Sequence, residues 1–460
     1  MRALPFLTLL ALAPTACGDD MQHPIDARPI DAAPDSPPLP VRSDVLSVPA
    51  SVVGQVDILV MVDDSPSTQD KTANLRASFP ALIDTLDALP GGRPDLHIGV
   101  ITSDVGTKGF ADDIAGPPVG GGVGMCANRG KAGALQTQGS PLVTGNFISD
   151  IASGSGRVTN YTGTLADAFS AIAAVGAAGC GFEQPLHAIQ LALAPDNAAN
   201  AGFLRSEANL LLVILSDEDD CSINHSTLFA NNDALGPLQS FRCTRYGITC
   251  DQGGTTPDEM NQVGAKSQCH SNESGTYLTK IADHVAFLRG LKADPRKIMV
   301  AALVGDPTPV ATELRAPGGS SEMIPALAHS CTYTDGQSQL EVADPAVRIG
   351  ELANPFQHHV VQSVCSNLGL GLSTIGHELA TLQGSTCLTQ QIAQPANCVA
   401  VDRAANGTTT PLAACPNAGH DCFSIDADAT ACPDLQHLKA TLTRVTPAAD
   451  DIVTTVSCVL

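Results

Sequence analysis

The chain has 460 residues, 43% of them hydrophobic but only 3% aromatic and none of them Trp, so an ample core must be built from Ala, Val, Leu and Ile. Lys and Arg number 24 against 47 Asp and Glu, a formal charge of -23. That balance argues against nucleic acid as a partner, because its phosphates would be repelled, and against electrostatic docking to anionic lipid. A cationic partner or a bound divalent metal fits better.

Residues 1–16, MRALPFLTLLALAPTA, carry one early Arg, an apolar stretch and small residues before Cys17. The stretch is too short to span a bilayer as a stable helix and reads as an export signal. Thr15-Ala16-Cys17 resembles a bacterial lipoprotein processing box, with Pro14 where Leu is usual. The resemblance implies that Cys17 is acylated and becomes the mature N-terminus, anchoring the chain to a membrane; the alternative is a plain secretory peptide cleaved near Ala16. Gly18 follows where an inner-membrane retention signal would place Asp, which points to the outer membrane of a bacterial envelope. Residues 17–43 repeat Pro-Ile-Asp-Ala and are dense in proline, a composition that cannot bury a core and favours an extended, semi-rigid spacer.

The folded region is expected from residue 44. Residues 56–67, VDILVMVDDSPS, form a continuous apolar run that ends in two aspartates and then places Asp63, Ser65 and Ser67 at alternating positions. A buried strand that stops at a loop of one carboxylate and two hydroxyls offers hard oxygen ligands, suited to Mg2+, Mn2+ or Ca2+ rather than zinc or copper. Taken singly it is also a plain solvated turn, since Asp, Ser and Pro are turn formers.

Leu75, Phe79, Leu82, Ile83, Leu86 and Leu89 then fall on one helical stripe, and 96–104, LHIGVITSD, returns as a strand. This βαβ order implies a parallel sheet covered by helices. A glycine-rich insertion is expected near 105–160. Residues 209–220, NLLLVILSDEDD, repeat the pattern of a buried strand stopping at an acidic cluster, which includes Asp217. A second insertion near 221–274 holds four cysteines. A helix over 277–292 and a strand over 297–306 follow, then helices over 348–356 and 372–382. Residues 384–460 carry six cysteines and little apolar periodicity, and read as a small disulfide-held appendage with a short sheet.

The D-x-S-x-S spacing of Asp63, Ser65 and Ser67 resembles that of von Willebrand factor A domains, whose metal-ion-dependent adhesion site is built from this loop and two others. The resemblance covers roughly 56–382, interrupted by insertions. It implies an α/β, Rossmann-like domain over 44–383, with a mainly parallel central sheet flanked by helices, and binding rather than catalysis. Asp217 stands at the family's distal aspartate. The second loop usually supplies a threonine; here counting back along residues 179–193 puts Glu183 at that position, while Thr162 and Thr164 are rivals that open an earlier helix. The expected ligand set is therefore Asp63, Ser65, Ser67, Glu183 and Asp217, and the expected partner is a protein or peptide. A third carboxylate in Glu183 implies tighter metal holding and weaker capture of acidic ligands than a threonine-type site.

There are 15 cysteines, and with Cys17 set aside for acylation the rest can close as seven disulfides in an oxidising compartment. Close pairs such as Cys243 with Cys250 and Cys415 with Cys422 are plausible. Residues 129–133, RGKAG, lack the first glycine and the Ser or Thr of a phosphate loop. His377-Glu378 begin a zinc-protease pattern that Thr381 breaks, and His358-His359 read as exposed polar residues. No G-x-S-x-G elbow is present. A strand leading to Asp63 also resembles the nucleophile loop of haloacid-dehalogenase-like phosphatases, but Ser65 stands where their second Asp is required. The remaining rival to a binding module is a structural envelope protein in which the cation only braces the loops.

Overall fold

A computed structural model of the chain describes residues 41–460 apart from 51–53, 90–91, 155, 318–320, 335–337, 384–385, 389, 418, 430–431, 433–435, 447 and 450. The expected export signal, Cys17 and the spacer up to residue 40 lie outside the described residues. From Arg42 onward the chain is one unit.

The apolar runs become the interior of a single sheet. Strands β2 (Gln55–Val62), β3 (Asp95–Thr102), β6 (Asn209–Leu215), β9 (Ile298–Val304) and β14 (His358–Ser363) lie parallel in the order β14-β9-β6-β2-β3. Helices α1 (Gln69–Asp87), α2 (Leu165–Ile172) and α8 (Leu368–Leu382) cover one face, packing on Val56, Ile58, Val60 and Val62. Helices α3 (Pro185–Leu193), α6 (Ile281–Arg289) and α7 (Val347–Ala353) cover the other, over Leu59, Met61, Leu212 and Ile214. Burial on both faces is why these strands read as unbroken apolar runs rather than alternating ones. Proline at the first position of α3 presets its backbone for a helix start.

The expected glycine-rich insertion is only partly one. It contributes β4 (Ile148–Ser153) and β5 (Gly156–Thr159), which pair antiparallel and extend the central sheet beyond β3. Helix α6 begins at Ile281 rather than 277, because the Thr279 amide and hydroxyl both bond to Ser222 O, at 2.9 and 3.0 Å.

The second insertion holds α4 (Phe241–Gly247), β7 (Ile248–Gln252), α5 (Pro257–Met260) and β8 (Gly264–Ser271). With β10 (Val310–Arg315) and β11 (Ile324–Leu327) they make a small sheet in the order β11-β10-β8-β7. A hairpin of β12 (Cys331–Thr334) and β13 (Leu340–Ala343) follows. The C-terminal region is a larger sheet than the sequence suggests. Strands β15 (Val399–Arg403), β16 (Thr409–Ala414), β17 (Cys422–Ala427), β18 (Leu438–Thr443) and β19 (Val453–Cys458) are joined by β1 (Ser43–Pro49), in the order β1-β19-β15-β16-β17-β18. Ser43 pairs with Cys458 and Pro49 with Val453, so the first strand of the folded region belongs with the last.

Among the described residues seven disulfides close all fourteen cysteines: 126–180, 221–243, 250–269, 331–365, 387–432, 398–458 and 415–422. The pairing of Cys415 with Cys422 is found. Cys243 and Cys250 are not paired with each other, because β7 forms a ladder with β8 and sets Cys250 opposite Cys269.

Candidate site at the ends of two central strands

Strands β2 and β6 are register neighbours, with Val62 beside Leu215, so the loops that follow them leave the sheet side by side. The chain from β2 continues through α1 to β3 on one side, and the chain from β6 leads to β9 on the other. Ligand crevices in open α/β sheets form where neighbouring connections diverge in this way.

The loop after β2 is folded by its own side chains. Ser65 N donates to Asp63 Oδ1 at 2.9 Å, and Thr68 Oγ1 donates to Asp63 O at 2.8 Å and to Ser65 O at 2.9 Å. Aspartate and threonine commonly lock turns by such local bonds. Ser65 Oγ then lies 3.1 Å from Ser67 Oγ, and Ser67 Oγ donates to Asp217 Oδ1 at 3.1 Å. Asp63, Ser65, Ser67 and Asp217 are thus one connected group. Asp63 is fully buried and also accepts from Ser216 Oγ at 2.7 Å and Ser103 Oγ at 3.3 Å, whereas Pro66 and Ser67 are exposed.

The structure sets Glu183 in the loop before α3, buried, its backbone carbonyl accepting from Cys221 N at 2.8 Å. Its carboxyl shares a hydrogen bond with Glu218 and is close enough to Asp63 for mutual repulsion. Thr164 is committed elsewhere: it caps α2 in a capping box with Asp167. The Thr162 amide donates to Leu142 O at 2.9 Å.

Crowding carboxylates in a buried place favours their neutral forms. Burial first, then Asp217, push the Asp63 carboxyl up to about 7, against the hydrogen bonds from Ser216 and Ser65. Burial, then Glu218 and Asp63, raise Glu183 well above the usual range. Burial, then Asp344 and Asp217, push Glu218 up to about 8. Burial also raises Asp217, and Lys71 opposes the shift.

Two lysines supply positive charge. Lys131 Nζ lies 2.6 Å from Asp64 Oδ2, which gives a role to the RGKAG segment that failed as a phosphate loop. Lys71 Nζ lies 3.1 Å from Asp217 Oδ2. The sequence reading missed Lys71, Lys131, Ser103, Ser216 and Glu218. Ser103 and Ser216 were detectable, each being the first residue beyond a buried strand of the same sheet; the lysines had no comparable signal.

Every donor gathered here is oxygen, the chemistry that Mg2+, Mn2+ or Ca2+ prefers. Among the described residues no three His, Cys, Asp or Glu side chains form a metal-holding group by themselves. A cation here therefore depends on the hydroxyls of Ser65 and Ser67 as well as on Asp63 and Asp217. His358, expected to be exposed, is buried on β14 and bonds Glu378 Oε1 at 2.7 Å through Nδ1; His359 beside it is exposed.

The chain matches no family model and no curated protein. Among solved structures it is similar to the conserved hypothetical protein BatB from Bacteroides thetaiotaomicron, at 12% identity and a TM-score of 0.27, covering 71% of this chain and 98% of that one. It is similar to an aerotolerance-related membrane protein from Bacteroides fragilis at 13% identity and a TM-score of 0.25, covering 70% and 98%. The adhesive tip pilin GBS104 from Streptococcus agalactiae matches at 10% identity and a TM-score of 0.27, covering 91% and 80%. At these scores the likenesses are too distant to carry a function to this chain. Among the described residues no helix is long and apolar enough to cross a membrane.

Proposed function

We propose that this chain is a divalent-cation-dependent protein-binding module of the von Willebrand factor A type, held at a bacterial cell envelope by a lipid on Cys17. The observation that carries the reading is the meeting of Asp63, Ser65, Ser67 and Asp217 at the adjoining ends of β2 and β6, with Ser67 open to solvent. A bound Mg2+, Mn2+ or Ca2+ ion supplies a positive centre for a carboxylate of the partner. Asp63, fixed by Ser65 N and Ser216 Oγ, anchors the inner side, and Ser67 forms the rim. Apolar side chains beside the rim fit a protein partner: Gly124 lies against Pro66, and its neighbours Val123 and Met125 are 68% and 45% exposed.

A second reading follows from the acid excess. The carboxyls of Glu183 and Glu218 near Asp63 and Asp217 can compensate the charge of a cation held by the aspartates and serines so fully that it braces the loops and captures nothing. The two readings separate in one experiment. Under the first, Asp63→Ala and Asp217→Ala abolish Mg2+-dependent retention of partners from envelope extracts, and partner capture equally effective in EDTA refutes it. Under the second, divalent ions raise the melting temperature without changing what is retained.

A further inference from the structure

We propose that Lys71 is a built-in counter-cation that occupies the Asp217 side of the site and limits divalent binding there. The inference rests on the cation-site reading above. Lys71 stands in the first turn of α1, where the helix dipole is positive and a basic side chain is unfavourable, so its position needs a reason outside the helix. Its side chain is 1% exposed. An ammonium that deep is rarely found unless paired.

Its partners belong to the site, to the hairpin beside it and, in Asp70, to its own helix turn. Nζ donates to Ser67 O at 3.0 Å, and lies 3.1 Å from Asp217 Oδ2, 3.2 Å from Asp70 Oδ1 and 3.2 Å from Glu341 Oε2. The ring of Tyr333, on β12, lies 5.9 Å from it. Asp217 is consequently divided, with Oδ1 accepting from Ser67 Oγ and Oδ2 facing the ammonium. A cation that takes Asp217 as a ligand must share the carboxylate with a positive charge a few ångströms away, and the repulsion is weakly screened in a buried site.

Lys71 has somewhere else to turn. Asp70 Oδ2 is buried and has no hydrogen-bond partner among the described residues, and Glu341 is 24% exposed on β13. An ammonium that releases Asp217 keeps Asp70 and Glu341. Glu341 therefore draws Lys71 away from the site, and the two residues have opposite effects on cation affinity. A purely structural role for either one does not produce opposite signs.

The test is titration of the full chain with Mg2+, Mn2+ and Ca2+ by calorimetry, comparing wild type, Lys71→Met, Glu341→Gln and Asp63→Ala. Lys71→Met is expected to bind the preferred ion about tenfold tighter or more, and Glu341→Gln to bind it a few-fold more weakly. Binding that appears only once Lys71 is replaced supports the proposal equally. Affinity that is unchanged or weaker in folded Lys71→Met overturns it. If that variant does not fold, Glu341→Gln decides, and unchanged or tighter binding there overturns it. Binding by the wild type that survives Asp63→Ala, or no binding by any variant, defeats the cation-site reading itself.

Discussion

Replacing Arg348 with Ala is expected to destabilise the protein by about 3–5 kcal/mol, the usual loss when one partner of a buried ion pair is removed. Arg348 is 1% exposed and Asp220 is fully buried. Nε and Nη2 donate to Asp220 Oδ2 at 3.2 and 3.0 Å, Nη1 to Gly247 O at 3.3 Å and Ser271 Oγ at 3.0 Å, and Nη2 to Thr279 O at 2.7 Å. One side chain of α7 therefore ties the acidic loop after β6 to two points of the disulfide-held insertion, Gly247 and Ser271, and to Thr279 just before α6. Its removal leaves Asp220 Oδ2 and Thr279 O without these donors, at about 1–3 kcal/mol for each unsatisfied group, partly recovered by relaxation, whereas Gly247 O keeps Asn272 N at 2.9 Å. Asp220 keeps Leu186 N and Ser222 Oγ on its other oxygen, so the loss does not reach the sum. Urea denaturation of the oxidised protein, followed by far-UV circular dichroism, measures it. The double variant Arg348→Met with Asp220→Asn is expected to recover much of the loss, because it removes both charges and fills the volume. A loss under about 1 kcal/mol for Arg348→Ala, or a double variant no more stable than that single one, refutes the reasoning.

Two further predictions concern buried groups. His187 and His284 are held neutral by burial, pulled down to about 3 and about 4. The unfolded chain takes up these protons near the ordinary value of 6.5 and the folded chain does not, so their contribution to stability is complete above 6.5 and is lost as pH falls toward 4. Denaturation midpoints measured across that window are expected to fall less steeply in His187→Gln and His284→Gln, and an unchanged slope contradicts the prediction. A Cβ on Gly179 would meet the Asp64 carboxylate, 2.6 Å from Oδ2. Gly179→Ala is thus expected to push Asp64 off Lys131 and cost about 1–3 kcal/mol, read as a lowered melting temperature; an unshifted one counts against the packing described.

The parts of the fold legible in the sequence are those in which burial overrides everything else. The runs ending at Val62 and Leu215 are buried on both faces and leave no polar alternation to confuse the reading, and their acidic ends mark where the sheet stops. The loop that opens α3 and carries Glu183 was legible because α3 precedes β6 in the chain. What stayed hidden depends on distant partners. The exposed residues of β5 read as loop, yet pair with β4 to widen the sheet. Cys243 and Cys250 are near in sequence but are separated by the β7–β8 ladder, which only a pairing register discloses. Lys71 sits on a helix end where a charged side chain usually meets water; its burial depends on Glu341, 270 positions away.

The pairing of β1 with β19 also fixes when the molecule can finish folding. β19 is an interior strand between β1 and β15, and the bridge between Cys398 and Cys458 ends on its last residue. Until residues 453–458 are present, β1 has no neighbour in that sheet and Cys398 has no native partner. Contacts spanning the full length of the fold close late, after the loop entropy of all the intervening chain has been overcome. Loss of residues 453–458 thus exposes two unpaired strand edges, on β1 and β15, and leaves the Cys398 thiol without its partner.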